Sequence, residues 1–338
     1  MQPSIPQNPT TNTADLLPKG ANANPHLAAA NGLDNVNVKP LVKHVLSKES
    51  QELFAKLSSA LTDETNIEWQ TAALSAIKTE PGIHQLTTYL LSFIAEKVTH
   101  NLKNLFVLNQ MMRATQALLD NAAIYLDPYM AYMVPPVLTC CTGKNLGSIH
   151  QTPSNASSET LNGNGVNGSG MTHDHFELRT YAAALLGRIC QKGASSNQGL
   201  KARIARTCLK QFLDPLKTPG THFGALRALT HITAADGVQM LILPNLKDYN
   251  DDILKEHMSK DDYRHDTERL VGLLFEILDG MAASTRSARL PNAANGTMDL
   301  EASREQLTAK IGDILTDRII SQRREDIADY VLKANINV

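Results

Sequence analysis

The chain has 338 residues, of which 42% are hydrophobic and 20% charged, enough to bury one sizeable core or two smaller ones. Its 32 Lys and Arg stand against 34 Asp and Glu for a net charge of -2, a balance that demands neither nucleic acid nor an anionic membrane as partner and leaves room only for a local basic face. Aromatic content of 5%, with a single Trp, suits helices packed through Leu, Ile, Ala and Met better than a β-sandwich.

Residues 1–40 are rich in Asn, Pro, Thr, Ala and Gln, with Leu that never becomes periodic. Such a segment buries too little apolar area to offset its ordering entropy, and a disordered lead-in is expected. It has no basic start followed by an apolar run, and no stretch of the chain approaches the roughly 20 apolar residues that span a bilayer. Cys140, Cys141, Cys190 and Cys208 show no disulfide framework. A reducing compartment, cytosol or nucleus, follows, and the N-x-S/T triplets at Asn155, Asn167 and Asn295 are expected to stay unused.

From residue 41 the pattern becomes helical. Leu53, Phe54, Leu57 and Leu61 form one stripe, and Ile67, Leu74 and Ile77 a second, closed by Pro81-Gly82. Leu86, Leu90, Phe93, Ile94 and Val98 make a third. Leu105, Leu108, Met112, Thr115 and Leu119 step by threes and fours over four turns. Asp127-Pro128 predicts a further helix through Cys141, with Asp127 as N-cap and Pro128 at the first position. Residues 41–146 are thus a first set of helices, and 147–170, collapsing into Gly, Asn and Ser, a flexible linker.

Residues 171–249 resume the period through Leu178, Ala182, Leu185 and Ile189, then Leu200, Ile204, Cys208 and Phe212, then stretches near 223–232 and 238–246. In 250–338 an acidic stretch, 250–262, is expected to interrupt the helices before Leu270, Leu274, Ile277 and Met281. A loop at 284–296 then precedes two last helices, one with Leu307, Ile311 and Leu315, the other with Ile320, Ile327 and Val331. No alternation of period two marks a strand.

Repeats are suggested by two features. Val134-Pro135-Pro136-Val137-Leu138 and Leu243-Pro244-Asn245-Leu246 share a Pro in an apolar helical context, where it costs up to ~3 kcal/mol unless it starts or kinks a helix. Arg179-x-x-Ala182-Ala183, followed by Gly187, supplies small residues that let helices approach closely. Helix pairs near 64–99, 102–142, 173–212 and 219–247 fit the ~40–47-residue HEAT period. The expected fold is all-α, a HEAT-repeat α-solenoid of stacked antiparallel helix pairs; a non-repetitive helical domain is the alternative.

These residues also carry a family resemblance. Lys43-His44-Val45-Leu46-Ser47, Thr79-Glu80-Pro81-Gly82-Ile83-His84-Gln85-Leu86, Leu118-Leu119-Asp120-Asn121 and Ile124-Tyr125-Leu126-Asp127-Pro128-Tyr129 occur in the order seen in one family. Val134–Cys140 is similar to its Leu-Pro-x-Val-(Leu/Met)-Thr-Cys, Leu178–Cys190 to its Arg-Asp-Phe-Ala-Ala-containing helix, and Leu241–Leu246 to its Leu-Leu-Pro-x-Leu signature. The chain resembles the TBP-associated factors in which a histone fold is followed by a HEAT domain, subunits shared by TFIID and SAGA. The family's upstream histone fold has no counterpart in 1–40, so pairing with a histone-fold partner is not carried over. The Gly/Asn/Ser insert is longer than the family's usual connector.

Sites of chemistry are not expected. His173 and His175 lack the four matched ligands of a zinc site and read as polar residues at a helix start. The cysteines lie on apolar stripes and behave as small hydrophobes, and phosphate loops and nucleophile elbows are absent. No cofactor, metal, small-molecule substrate or membrane is implied. The feature of interest is a basic helix face of Lys201, Arg203, Arg206 and Lys210, which Lys192 could extend: either an ordinary solvated surface or a contact for acidic partner segments or DNA phosphate. Arg318, Arg323 and Arg324 carry the same ambiguity. The resemblance implies a non-enzymatic scaffold in the nucleus supporting RNA polymerase II initiation. Its partners would be other TBP-associated factors and SAGA subunits, with promoter DNA or chromatin within reach. A HEAT-type transport or cargo adaptor is the competing reading.

Overall fold

The computed structural model describes residues 46–147, 174–194, 197–233, 235–287 and 300–334. All the helices described below belong to one compact unit, Lys48–Val338. The lead-in at 1–40, His173, Asn155, Asn167, Asn295, and all of the 147–170 linker beyond Gly147 lie outside the described residues.

Among the described residues every regular element is helical. In chain order these are α1 (Lys48–Thr62), α2 (Ile67–Thr79), α3 (Thr87–His100), α4 (Leu105–Asp120), α5 (Met130–Thr142), α6 (His175–Lys192), α7 (Gln198–Phe212), α8 (Pro219–Ile232), α9 (Ala235–Ile242), α10 (Leu246–Tyr249), α11 (Lys255–Ser259), α12 (Asp261–Ser287), α13 (Arg304–Ile311), α14 (Asp313–Ser321) and α15 (Glu325–Lys333). Asx caps set three starts: Asn66 accepts from Trp69 N at 3.0 Å, Asn104 from Val107 N at 3.1 Å and Asp174 from Phe176 N at 3.0 Å. Pro81 pushes Glu80 into an extended conformation, which stops α2 at Thr79 and starts a 3-10 turn, Pro81–Leu86.

The helices form a two-layer stack. Helices α2, α4, α6, α8 and α12 each pack on the next, and α3, α5 and α7 follow in the other layer. This is the HEAT-type solenoid expected, but its pairs are phased one helix earlier. The hairpins that lie along one another are α1–α2, α3–α4, α5–α6 and α7–α8, whereas α2 scarcely touches α3. Connector length accounts for three of the four. Residues 63–66, 101–104 and 213–218 are too short for anything but an antiparallel return, while the 3-10 turn at 81–86 and the segment 121–129 carry the chain to the next pair.

Other expectations need correcting. In α2 the buried stripe is Gln70, Ala73 and Ile77, with Ile67 65% exposed. A polar Gln70 is tolerated because its amide donates to Asp63 O at 2.6 Å and accepts from Gln110 at 2.8 Å. Asp127 is not the N-cap of α5: residues Asp127–Tyr129 form a 3-10 turn, and the helix begins at Met130. The acidic stretch interrupts the helices only at Lys260, whose extended backbone separates α11 from α12. A π-turn at Asn250–Leu254 carries α10 into α11, because Tyr249, Ile253, Leu254 and His257 keep a buried stripe while Asp251 and Asp252 point outward. Helix α12 runs on to Ser287, and 288–296, the remainder of the expected loop, lie outside the described residues.

The C-terminal region has three helices instead of two. Gly312, at φ +86°, divides α13 from α14, and a Cβ there would meet Asn250 Cγ at 2.2 Å. Ile320 accordingly belongs to α14, where Ile319 is the fully buried neighbour.

The two proline signatures also differ. Pro135 and Pro136 lie inside α5, Pro135 exposed and Pro136 buried, whereas Pro244 starts the 3-10 turn Leu243–Asn245 and is exposed. Helix α5 accommodates its prolines because the carbonyls they leave unbonded belong to Ala131 and Tyr132, both exposed to water.

Candidate interaction surface

The interior of the stack is closed by the Arg179, Ala182, Ala183 and Gly187 part of the repeat signature, whereas Pro135 and Pro244 are exposed. Arg179, 1% exposed in α6, donates from Nη1 to Cys141 O at 2.8 Å and from Nη2 to Gly143 O at 2.8 Å. Those carbonyls end α5, where the helix dipole is negative and the chain supplies no further amide. Burial pulls the guanidinium down to about 10, so it remains charged at neutral pH. Its Nε also faces His175 Nδ1 at 3.4 Å.

Room for this clamp comes from glycines in α8. A Cβ at Gly220 would meet Arg179 Nη2 at 3.1 Å, and one at Gly224 would stand 1.8 Å from Cys141 O. The Cys141 thiol donates to Gly224 O at 3.1 Å. Ala182 and Ala183 are fully buried, and a Cβ at Gly187 would lie 2.9 Å from His231 O, so α6 and α8 approach with their backbones nearly touching.

A second set of polar contacts ties α4 to its neighbours. Asp120 accepts from Arg188 and sits 3.6 Å from Lys78; Lys192 donates to Leu119 O, and Tyr181 to Gln116. Lys192 is therefore committed to the α4 terminus and does not extend the basic face. Buried Asn121 donates to Ile77 O at 2.8 Å and Glu80 O at 3.2 Å while accepting from Ala123 N at 2.9 Å, closing the end of α2. Near the C-terminus Arg324 pairs with Asp279 and Asp326, and both Arg318 and Arg324 lie over the Phe275 ring.

All four thiols are buried, and burial pushes them up, Cys140 and Cys208 to about 12, leaving them protonated. Asp174 caps α6 and pairs with Arg269 at 2.6 Å; His175 lies 3.9 Å from Asp266. These are structural contacts of polar residues at a helix start.

The outward basic residues lie on α7. Lys201, Arg203, Arg206 and Lys210 are all exposed, and none forms an ion pair among the described residues. At 3.6 residues per turn, Arg203, Arg206 and Lys210 share one sector of the helix. Lys201 lies roughly opposite them, close enough to Cys190 to act on its thiol. The structure thus presents three of the four residues together.

Sequence periodicity missed Gly220, Gly224 and Asn121, since nothing local distinguishes a glycine that faces another backbone from one that faces water. The proximity of Gly224 to the Ala-rich α6 could have been suspected only from its place in a second small-residue helix.

Known proteins resemble this chain in sequence and in fold. A family model described as the TAF6 C-terminal HEAT repeat domain matches residues 42–247. In Schizosaccharomyces pombe a protein named SAGA complex/transcription factor TFIID complex subunit Taf6 is 35% identical, covering 95% of this chain and 68% of the relative. An Arabidopsis thaliana protein named transcription initiation factor TFIID subunit 6 is 30% identical over 74% of this chain and 40% of its own length. The chain thus spans well under half of that plant relative. A solved TAF6 C-terminal domain from Antonospora locustae superposes with TM-score 0.52 over 68% of this chain and 98% of that one, at 21% identity, which bears on the fold.

Proposed function

Because the chain belongs to the family of TAF6 C-terminal HEAT repeat domains, we propose that it is a non-catalytic scaffold shared by TFIID and SAGA, supporting RNA polymerase II transcription initiation in the nucleus. The observation that carries this reading is the fission-yeast relative, itself named as a subunit of both assemblies and 35% identical across 95% of the chain. The physical design suits the role. A stack in which α5, α6 and α8 are locked by Arg179 and by glycine-mediated backbone contact holds its exposed faces in fixed register, and a docking surface needs that register. Its thiols, the obvious candidate nucleophiles, are buried and protonated.

In this role the protein performs assembly and positioning. TBP-associated factors and SAGA subunits are the partners, each docking along the exterior of the helical stack. Affinity purification of the tagged full chain from nuclear extract should recover both groups. Recovery of a transport GTPase and its cargo without them would reject this reading in favour of a HEAT-type cargo adaptor.

A further inference from the structure

Helix α7 carries Lys201, Arg203, Arg206 and Lys210 and no acidic residue. From Leu178 through Thr233 the one carboxylate is Asp214, and it is already engaged: it accepts from Leu216 N at 3.1 Å and lies 3.8 Å from Lys217. Leu200, Ile204, Cys208 and Phe212 bury one side of α7. Arg203, Arg206, Lys210 and Leu213 stand three, four and three residues apart, within a sector of roughly 80° on the other side. Leu213 keeps helical backbone geometry at the C-cap, so it continues the same row. Leu213 is 36% exposed, and Leu216, in the turn that follows, is 85% exposed, more than any other large apolar side chain among the described residues. The face is therefore a row of three cations ending in Leu213, with a second solvent-facing leucine, Leu216, in the adjoining turn.

The occupant is chosen by what each half of that row can use. A phosphate backbone would take the cations and gain nothing from leucine side chains. An acidic peptide that also bears large apolar side chains would use both, setting carboxylates against the guanidinium groups and removing leucine surface from water. We propose that this face of α7 docks an acidic, apolar-containing peptide segment of a partner subunit, with Arg203, Arg206 and Lys210 binding its carboxylates and Leu213 and Leu216 its apolar side chains. The inference rests on the scaffold reading and gives that scaffold one defined contact.

The test uses the full chain and a fluorescein-labelled synthetic peptide of glutamate and leucine only, followed by fluorescence anisotropy. Two controls accompany it: a glutamate–serine peptide and a duplex DNA. The expected result is saturable, salt-sensitive binding of the glutamate–leucine peptide. Binding should be weakened about tenfold or more by R203E/R206E/K210E, and severalfold by L213S/L216S, with the glutamate–serine peptide binding more weakly than its leucine counterpart. All five residues are exposed, so these variants should retain the helical circular dichroism of the parent. The proposal is overturned if the parent does not bind the glutamate–leucine peptide. It is equally overturned if the duplex binds as well as the peptide and the leucine variant leaves both unchanged, since the face would then be a phosphate surface. If TBP-associated factors still co-purify with the charge-reversed chain, the scaffold reading stands whichever way the peptide result falls; if they fail to co-purify with the parent, that reading fails on its own.

Discussion

Arg179 shows how much of this molecule's stability rests on single buried polar groups. Replacing it with Met leaves the Cys141 and Gly143 carbonyls without their donors inside a packed helix junction. Unpartnered acceptors of this kind cost about 1–3 kcal/mol each, so Arg179→Met should lower the free energy of unfolding by about 3 kcal/mol in urea titrations. Arg179→Lys should recover little, because one ammonium cannot span two carbonyls as the planar fork does. His222 supplies a pH dependence. It is fully buried, its Nδ1 donates to Phe212 O at 2.8 Å, and its Nε2 has no partner. Burial pulls it down to about 4 from 6.5. The unfolded chain therefore binds the extra proton first, and stability that is complete above pH 6.5 should decline as pH falls toward 4. The loss attributable to this ring is about 3 kcal/mol, and the neighbouring His257, also shifted down by burial, adds in the same direction. Urea midpoints measured from pH 7 to pH 4 should fall steadily, and His222→Gln should flatten that slope.

Among the elements, α5 and α8 come into backbone contact where Gly224 meets the Cys141 carbonyl. Two helices can approach this closely only if one of them lacks a side chain at the crossing, and Gly224 fills that place. Gly224→Ala would force a methyl into the Cys141 carbonyl, where the obstacle is backbone and cannot rotate away; loss of several kcal/mol, read as insolubility or a large fall in melting temperature, is expected. Gly280 in α12 makes the opposite case. It is exposed, and a Cβ there would have nothing within 4 Å, so Gly280→Ala should raise stability by about 0.5–1 kcal/mol through reduced unfolded-state entropy. The same chemical change thus has opposite signs in two helices, and a pair of denaturation curves decides it.

At the scale of the whole molecule, each helix contacts only near neighbours in the stack, so stability should be graded along it. Helices α6 and α8 are packed on several sides by α4, α5, α7 and α12, and almost every residue of α8 is buried. Hydrogen exchange followed by mass spectrometry should find their amides the slowest. Helix α1 has few buried residues and lies at one end of the array, and it should exchange fastest among the long helices. Uniform protection across α1 to α8 would mean that the stack unfolds as one cooperative unit.

The sequence by itself determined the helical class, most helix positions and the solenoid character. Apolar residues at spacings of three and four and Pro breaks act over one or two turns and are local by nature. The signature residues Arg179, Ala182, Ala183 and Gly187 were legible as a close-packing helix for the same reason, and the basic residues of α7 as a row of cations. Tertiary structure alone decided which helices pair, because the phase of the repeat depends on how far each connector lets the chain travel before it returns. It also decided that Arg179 caps another helix, that Gly224 faces a carbonyl, that Lys192 is held by α4, that Lys201 stands apart, and that Leu213 is exposed at the end of the basic row. Each of these joins residues brought together by packing or separates residues adjacent in sequence, and no local pattern of side chains records the position of a neighbour dozens of residues away.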